Sequence, residues 1–467
     1  MSGIVGFFNF KEKIMNSQEI LMNMNNKLMH RGSDKDGYYI GDNIALGFRT
    51  ILCGDNQPIS FNFEGNTYVI VYDGNIYNLK ELKLELEQYD FCFSTNSDAE
   101  VILKGYIHFR ESFVNKLNGV FAFAIFDKNQ NSLFIARDHF GIKPFYYTII
   151  NNTFVFASEI KALFQFPNVN PKMDSMGICE LIGIGPAHTP GVTVFKDIYE
   201  IKPAHYGIYS DGGFHSKSYW KLISKPHTDS LGKTCETIKY LLEDSIKKQL
   251  VSDLPVCSFL SGGLDSSIIS LYAANYYKVN DLKPLDTYSV DYVDNDKNFV
   301  KSDFQPNSDN YYIELMSKRL YSEHHNIVLD TPELADALEA AMIARDVPGM
   351  ADIDSSLLLF CKNVKPEASI ALTGECADEI FAGYPWFFRE DALSSNTFPW
   401  SIAIQERQTL LNNQISEKVD LKAYIDYRYN ESLNEVSLIG SDSKETLEKK
   451  KISHLTLNWF MQTLLER

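Results

Sequence analysis

The chain has 467 residues, 45% apolar and 13% aromatic, enough to bury a core in each of two large domains; a single small module and a disordered chain are excluded. Against 44 Lys and Arg stand 61 Asp and Glu, a net charge of −17, so the surface repels polyanions and nucleic acid is not an expected partner. The seven cysteines (Cys53, Cys92, Cys179, Cys235, Cys257, Cys361, Cys376) form no CxxC pair, and no apolar run reaches the length of a membrane span, so the expectation is a cytoplasmic protein without membrane or zinc.

From residue 1 to about 205 the pattern is mainly of strands: GIVGFFNF, the stretch from Tyr38 to Phe48, NTYVIVYDG, NGVFAFAIFD, NSLFIARD, FYYTII and NTFVFAS. Asn16 with Glu19, Asn78 with Glu81 and Ser97 with Glu100 have capping-box spacing and predict three covering helices. Residues 206–230 are rich in turn formers and read as a linker. Beyond it, Ile238, Leu241, Leu242, Ile246 and Leu250 have helical spacing. The apolar strand LPVCSFL follows, and strands and helices then alternate through ASIALTG, which predicts βαβ units on a parallel sheet. The polar run 292–309 reads as a loop near a site.

The string SGGLDS, Ser261 to Ser266, lies between that buried strand and the helix SIISLYAA. Two glycines let the backbone close around phosphate oxygens, and the first-turn amides supply partial positive charge. Asp265 is misplaced beside a bare phosphate and useful beside one bridged by Mg²⁺. The plainer reading is an ordinary strand-turn-helix corner with a capping acid.

SGGLDS resembles the pyrophosphate-binding loop of the ATP pyrophosphatase superfamily. ALTGECADEIFAGYPW and PGMADIDSSLLLF resemble the asparagine synthetase branch. The resemblance spans nearly the whole chain. It implies an α+β N-terminal-nucleophile domain (αββα sandwich) over 1–205, a class II glutamine amidotransferase domain, followed by an α/β parallel-sheet synthetase domain over 231–467. It further implies a carbon–nitrogen ligase of asparagine biosynthesis: the aspartate side-chain carboxylate attacks the α-phosphate of ATP, pyrophosphate leaves, and ammonia, free or cut from glutamine, displaces AMP. A homodimer is left open.

By motif position, Asp265 and Asp378 would hold Mg²⁺, and Ser261, Gly262, Gly263 and Ser266 would cradle the pyrophosphate. Phe259, Val290, Thr373 and Gly374 would line the nucleotide pocket, and Glu375 would take the proton from attacking ammonia. The plainer alternatives are core packing for Phe259 and Val290 and helix capping for Asp378 and Glu379. In the first half, Arg49 would pair with the glutamine α-carboxylate and Asp98 with its α-ammonium; a surface cation and a helix-start acid are the alternatives. His30 to Asp34 resembles the family's HRGPD turn and would shape the pocket, while the segments 137–144 and 157–163 are assigned to packing or ammonia channelling.

The chain departs from the family pattern in three places. Ser2 stands where the family has its nucleophilic cysteine, once Met1 is removed, and a serine hydroxyl is essentially unionised at pH 7. Asp73-Gly74-Asn75 replaces Asn-Gly-Glu, so an oxyanion donor becomes an anion and a carboxylate expected to help hold the glutamine α-amine is lost. The chain stops at LTLNWFMQTLLER, where family members continue to further site residues, so the synthetase domain is expected to be C-terminally incomplete. Two other readings stay open: a different adenylating synthetase of this architecture, like the β-lactam synthetases, and a glutamine- or nucleotide-binding pseudoenzyme.

Overall fold

The computed structural model describes residues 2–51, 56–252, 254–301, 307–440 and 442–465; Met1, Cys53, part of the 292–309 run and Arg467 lie outside the described residues. By internal packing the chain divides into two units. One comprises Met1–Ile223 with Ala403–Arg428 and the residues from Asn458; the other comprises Ser224–Ile402 with Tyr429–Leu457.

Among the described residues the first unit holds twelve strands: β1 (Ser2–Asn9), β2 (Lys35–Ile40), β3 (Ile44–Thr50), β4 (Ile59–Phe63), β5 (Asn66–Ile76), β6 (Gly119–Asp127), β7 (Ser132–Arg137), β8 (Tyr146–Ile150), β9 (Thr153–Ala157), β10 (Tyr199–Glu200), β11 (His205–Ser210) and β12 (Gly213–Ser218). They form two six-stranded sheets, ordered β10-β8-β9-β1-β3-β2 and β12-β11-β7-β6-β5-β4. Their alternation explains the layering. On β1, Ile4 and Phe8 join the core between the sheets, while Val5 and Phe7 face α1 (Ser17–Asn26) and α4 (Ile160–Leu163). On β5 and β6, Val69, Val71, Ala122 and Ala124 face inward, and Ile70, Tyr72, Phe121 and Phe123 face α2 (Leu79–Glu87) and α3 (Asp98–Phe109). Both faces of each sheet are therefore buried, which is why these strands read as continuous apolar runs. The result is a four-layer αββα sandwich, each buried phenylalanine contributing roughly 1.5–3 kcal/mol.

Two local expectations are corrected. Only Ser97 of the three predicted caps accepts a bond from its helix, from the Glu100 amide. Asn16 sits at φ 56, a left-handed backbone that turns its side chain away from the first-turn amides; neither it nor Asn78 makes a side-chain cap bond. Glu100 turns instead to Ser94, Thr95 and Lys104, five bonds that a single N-cap amide cannot match. Much of the expected linker is the hairpin β11–β12, because a turn at Asp211-Gly212-Gly213, with Gly213 at φ 87, lets Tyr209 bury itself in the second sheet.

The second unit carries a parallel sheet ordered β15-β14-β13-β16, from β13 (Val256–Phe259), β14 (Leu285–Tyr292), β15 (Ser322–Leu329) and β16 (Ile370–Leu372). The helices Leu231–Gln249 and Leu264–Val279 contribute Ile246, Ala273 and Ala274 to one cluster on it, and the helix Ala351–Val364 contributes Phe360 and Val364 to another. Open parallel sheets bind ligands outside the carboxyl ends of their strands. Here those ends lead from β13 into 260–266, from β14 into 293–298 and from β16 into 373–378.

Candidate functional sites

In the first unit, β1 and β5 come from facing sheets, and their residues Ser2 and Asp73 meet: Ser2 Oγ donates to Asp73 Oδ1 at 2.7 Å. Asp73 is only 1% exposed. Arg31 donates to its Oδ2 at 3.3 Å and to the Ser2 carbonyl at 2.9 Å, and Lys143 Nζ lies 3.3 Å from Oδ1. Burial pushes the Asp73 carboxyl up, but Lys143, Arg31 and the Ser2 hydroxyl outweigh it and hold it below the usual carboxylate range. Asp73 is therefore an anion at neutral pH, fixed where the motif calls for an uncharged donor.

A second carboxylate closes the network. Glu159 accepts from Arg31 at 3.2 Å and pairs with His30 at 2.8 Å and Lys161 at 2.5 Å. Burial opposes its ionisation, yet His30, Arg31 and Lys161 hold its carboxyl at about 2. Arg31 and Lys143 thus reach Asp73, and Glu159 joins them through Arg31, from segments the sequence assigned to pocket shape, packing or channelling. The signal that could have found them was charge complementarity: Arg31, Lys143 and Lys161 in those segments, with Asp73 and Glu159 to meet them.

The expected glutamine readers make internal contacts. Arg49, 6% exposed, donates to the Asn25 carbonyl at 2.8 Å and to Asn26 Oδ1 at 2.7 Å. Asp98 Oδ2 accepts from the Tyr72 hydroxyl and the Ile76 amide, both at 2.8 Å. Gly74 is required where it stands, since a Cβ there would come within 2.2 Å of the Val120 carbonyl oxygen; Asn75 is exposed.

In the second unit the turn after β13 is built as the motif predicts. Gly262 has φ 79, and a Cβ on it would sit 2.7 Å from the Ile313 amide nitrogen, so only glycine fits. Ser266 Oγ accepts from the Ser261 amide at 3.2 Å and lies 2.9 Å from Ser261 Oγ, cinching the turn. Gly263 takes the N-cap position and has no side chain with which to cap, so the first-turn amides of Leu264–Val279 remain available to an anion.

The turn after β16 packs against this one. A Cβ on Gly374 would lie 3.0 Å from the Ser266 nitrogen and 3.1 Å from Asp265 Cβ. Thr373 Oγ1 accepts from the Glu375 amide at 3.0 Å, and Glu375 is exposed. Burial raises the Asp265 and Asp378 carboxyls, and the negative charge of Asp265 raises Asp378 further. Among the described residues neither has an ion-pair partner. Two like charges left without a cation suit Mg²⁺, which takes one or two carboxylates and completes its shell with phosphate oxygens and water. Among the described residues no group of three acidic, histidine or cysteine side chains could hold a metal.

Sequence reasoning passed over Glu379 as anything but a cap. It is 2% exposed, accepts from the Tyr384 hydroxyl at 2.9 Å, and leaves Oε2 without a hydrogen bond. Burial, aided by Asp378 and Glu375, pushes its carboxyl up to about 7. Phe259 packs its ring 4.6 Å from Phe360, and Val290 packs in the same cluster and lines an adjoining cavity. The six described cysteines are free, and no helix of the described residues is long and apolar enough to cross a membrane.

Residues 1–220 match the glutamine amidotransferase domain family and residues 237–467 the asparagine synthase family. Asparagine synthetase [glutamine-hydrolyzing] 3 of Bacillus subtilis is 41% identical across 100% of this chain and 76% of its own length. Asparagine synthetase [glutamine-hydrolyzing] 1 of the same organism is 34% identical across 82% of this chain and 59% of its own length; the chain is thus shorter than these curated relatives. Among solved structures, a glutamine phosphoribosylpyrophosphate amidotransferase from B. subtilis aligns at TM-score 0.37 and 16% identity, over 70% of this chain and 81% of that one. The two domain matches in order, together with the relative identical at 41% of positions, place the chain in the asparagine synthetase (glutamine-hydrolysing) family, with an amidotransferase domain followed by a synthetase domain.

Proposed function

We propose that the chain carries out ATP-dependent amidation of aspartate through a β-aspartyl adenylate, with free ammonia as the nitrogen source. One observation carries the synthetase reading. The 261–266 turn and the 373–378 turn pack together and leave Asp265 and Asp378 near each other without a protein cation.

In this reading Ser261, Gly262, Gly263 and Ser266 bind the β- and γ-phosphates through backbone amides and hydroxyls. Asp265 and Asp378 would hold Mg²⁺, which would supply charge neutralisation for the departing pyrophosphate. An aspartate β-carboxylate oxygen attacks the α-phosphorus, and the bond to pyrophosphate breaks. Phe259, Val290, Thr373 and Gly374 orient the nucleotide. Ammonia then adds to the acyl carbon, Glu375 accepts its proton, and the carbon–oxygen bond to AMP breaks.

The choice of ammonia rests on Ser2 and Asp73. The Ser2 hydroxyl proton points at a carboxylate held below the ordinary range, a poor base, and that carboxylate stands where negative charge would develop during amide attack. The test is aspartate-dependent pyrophosphate release, measured with ammonium and with glutamine separately. The reading requires release with ammonium and little with glutamine; no release with either overturns it, and equal release with glutamine overturns the choice of donor.

A further inference from the structure

A cavity of about 690 Å³ opens in the first unit where its two sheets end. Lys35 opens β2, the last strand of one sheet, and Ile59, Ser60 and Phe61 lie on β4, the last strand of the other. The loop 92–97 and α3 supply most of the remaining lining. Among the described lining residues are none of those assigned to glutamine: Arg49, Asp73, Gly74, Asn75 and Asp98.

Ile59, Phe61, Phe93 and Leu103 give the cavity an apolar wall. Against it lies Lys104, 3% exposed, with its ammonium 4.8 and 4.9 Å from the ring centres of Phe61 and Phe93. Lys104 donates to Glu100 and to the Cys92 carbonyl. Glu100 is the one acid among the described lining residues, and its oxygens are already filled by Ser94, Thr95 and Lys104. Among the described residues Lys35 has no ion-pair partner. Lys83 adds a further positive charge beside Phe93, 5.2 Å from its ring centre.

This charge balance, on a chain of net charge −17, selects an anion. An ammonium group would find no uncommitted carboxylate in the described lining, which sets aside zwitterions such as glutamine and aspartate. Inorganic phosphate would leave the four apolar side chains facing water, whereas an aromatic body would cover them and pack on the two phenylalanine rings. The volume lies within the usual range for small-molecule sites.

We propose that this cavity binds a small aromatic carboxylate without an α-amino group, its anion paired with Lys35 and its ring packed on Phe61 and Phe93. The proposal is independent of the synthetase reading. It also bears on the Ser2 site. The loop 92–97 runs into α3 at Asp98, whose carboxylate holds the Tyr72 hydroxyl and the Ile76 amide on β5, the strand that carries Asp73.

The test is titration calorimetry of the full chain with phenylacetate, phenylacetamide, phenylalanine and inorganic phosphate. The unaltered protein is compared with Lys35→Gln and Ser60→Trp, and unfolding midpoints report whether each variant is folded. Phenylacetate should bind, phenylacetamide and phenylalanine at least about 10-fold more weakly, and phosphate not detectably. Lys35→Gln should weaken phenylacetate by about 3–10-fold, the scale of one lost charge-assisted bond, and leave phenylacetamide as it was. Ser60→Trp, which sets an indole into the cavity from an exposed position on an end strand, should abolish phenylacetate binding. No phenylacetate binding at about 10 mM overturns the proposal. So does phenylalanine bound as tightly as phenylacetate, or phenylacetate binding that a folded variant leaves unchanged. Where one variant's midpoint falls, the other variant and the ligand series decide.

Discussion

The two candidate sites treat charge in opposite ways. Around Ser2 the charges are paired from within: Asp73 with Arg31 and Lys143, Glu159 with Arg31, His30 and Lys161. Around the phosphate turn they are left open: Asp265 and Asp378 repel each other, and the helix amides are uncapped. A network satisfied by its own side chains is stable and has little electrostatic demand for a ligand. One left with like charges is destabilised until a cation and its phosphates arrive.

The largest effect that would sharpen this contrast is on stability. Asp73→Ala strips a buried partner from Arg31 and Lys143, and urea unfolding of the altered chain should show a loss of about 3 kcal/mol. Asp265→Ala removes a repulsion and should leave stability unchanged within about 0.5 kcal/mol or raise it. A matching loss in both would erase the distinction between the sites.

Activity should reverse that order. Asp265→Asn and Asp378→Asn are each expected to lower ammonium-dependent pyrophosphate release by about 10²–10³-fold, the scale of a lost charge-stabilising group. Asp73→Asn should leave that release as it was, measured at saturating ammonium.

The amidotransferase half offers a third test. Ser2→Cys alone should leave glutamine hydrolysis near background, because the Asp73 carboxylate still faces the developing oxyanion. Ser2→Cys with Asp73→Asn should exceed it by about 10²-fold, read as glutamate released from glutamine. A Ser2→Cys chain as active as the double variant would mean that Asp73 is no obstacle.

The smallest effect concerns acid. The Glu159 carboxyl is held at about 2 by its cationic neighbours against burial, below its ordinary value of about 4.5 when unfolded. The folded state then binds fewer protons than the unfolded state, so this contribution is present above about pH 4.5 and is lost as pH falls towards 2. Glu159→Gln should flatten that part of the stability profile by about 1–2 kcal/mol, seen as a smaller drop in unfolding midpoint between pH 5 and pH 3.

Much of the fold could be read from local pattern. Continuous apolar runs such as GIVGFFNF and NGVFAFAIFD are strands buried on both faces, and the alternation after residue 250 is the parallel sheet. The linker was misjudged because turn formers mark a hairpin as well as a connection, and only the pairing of β11 with β7 distinguishes the two. Capping boxes fared unevenly because spacing says nothing about backbone handedness at Asn16. At the sites, the glycine at 262 and the Ser261–Ser266 closure of the turn were legible because they lie in one contiguous string whose geometry is local.

The sequence by itself determined the layer composition, the glycine-bearing turn at 261–266 and a serine at residue 2, since each depends on residue types within a short span. Tertiary structure alone decided which charges meet. Asp73 is drawn to Arg31 and Lys143 across 42 and 70 positions of sequence, and Tyr292 to Ser356 across 64, because facing sheets and neighbouring elements close distances that no local pattern encodes. The same closure brings Asp265 close enough to raise the Asp378 carboxyl, with no ion-pair partner for either among the described residues.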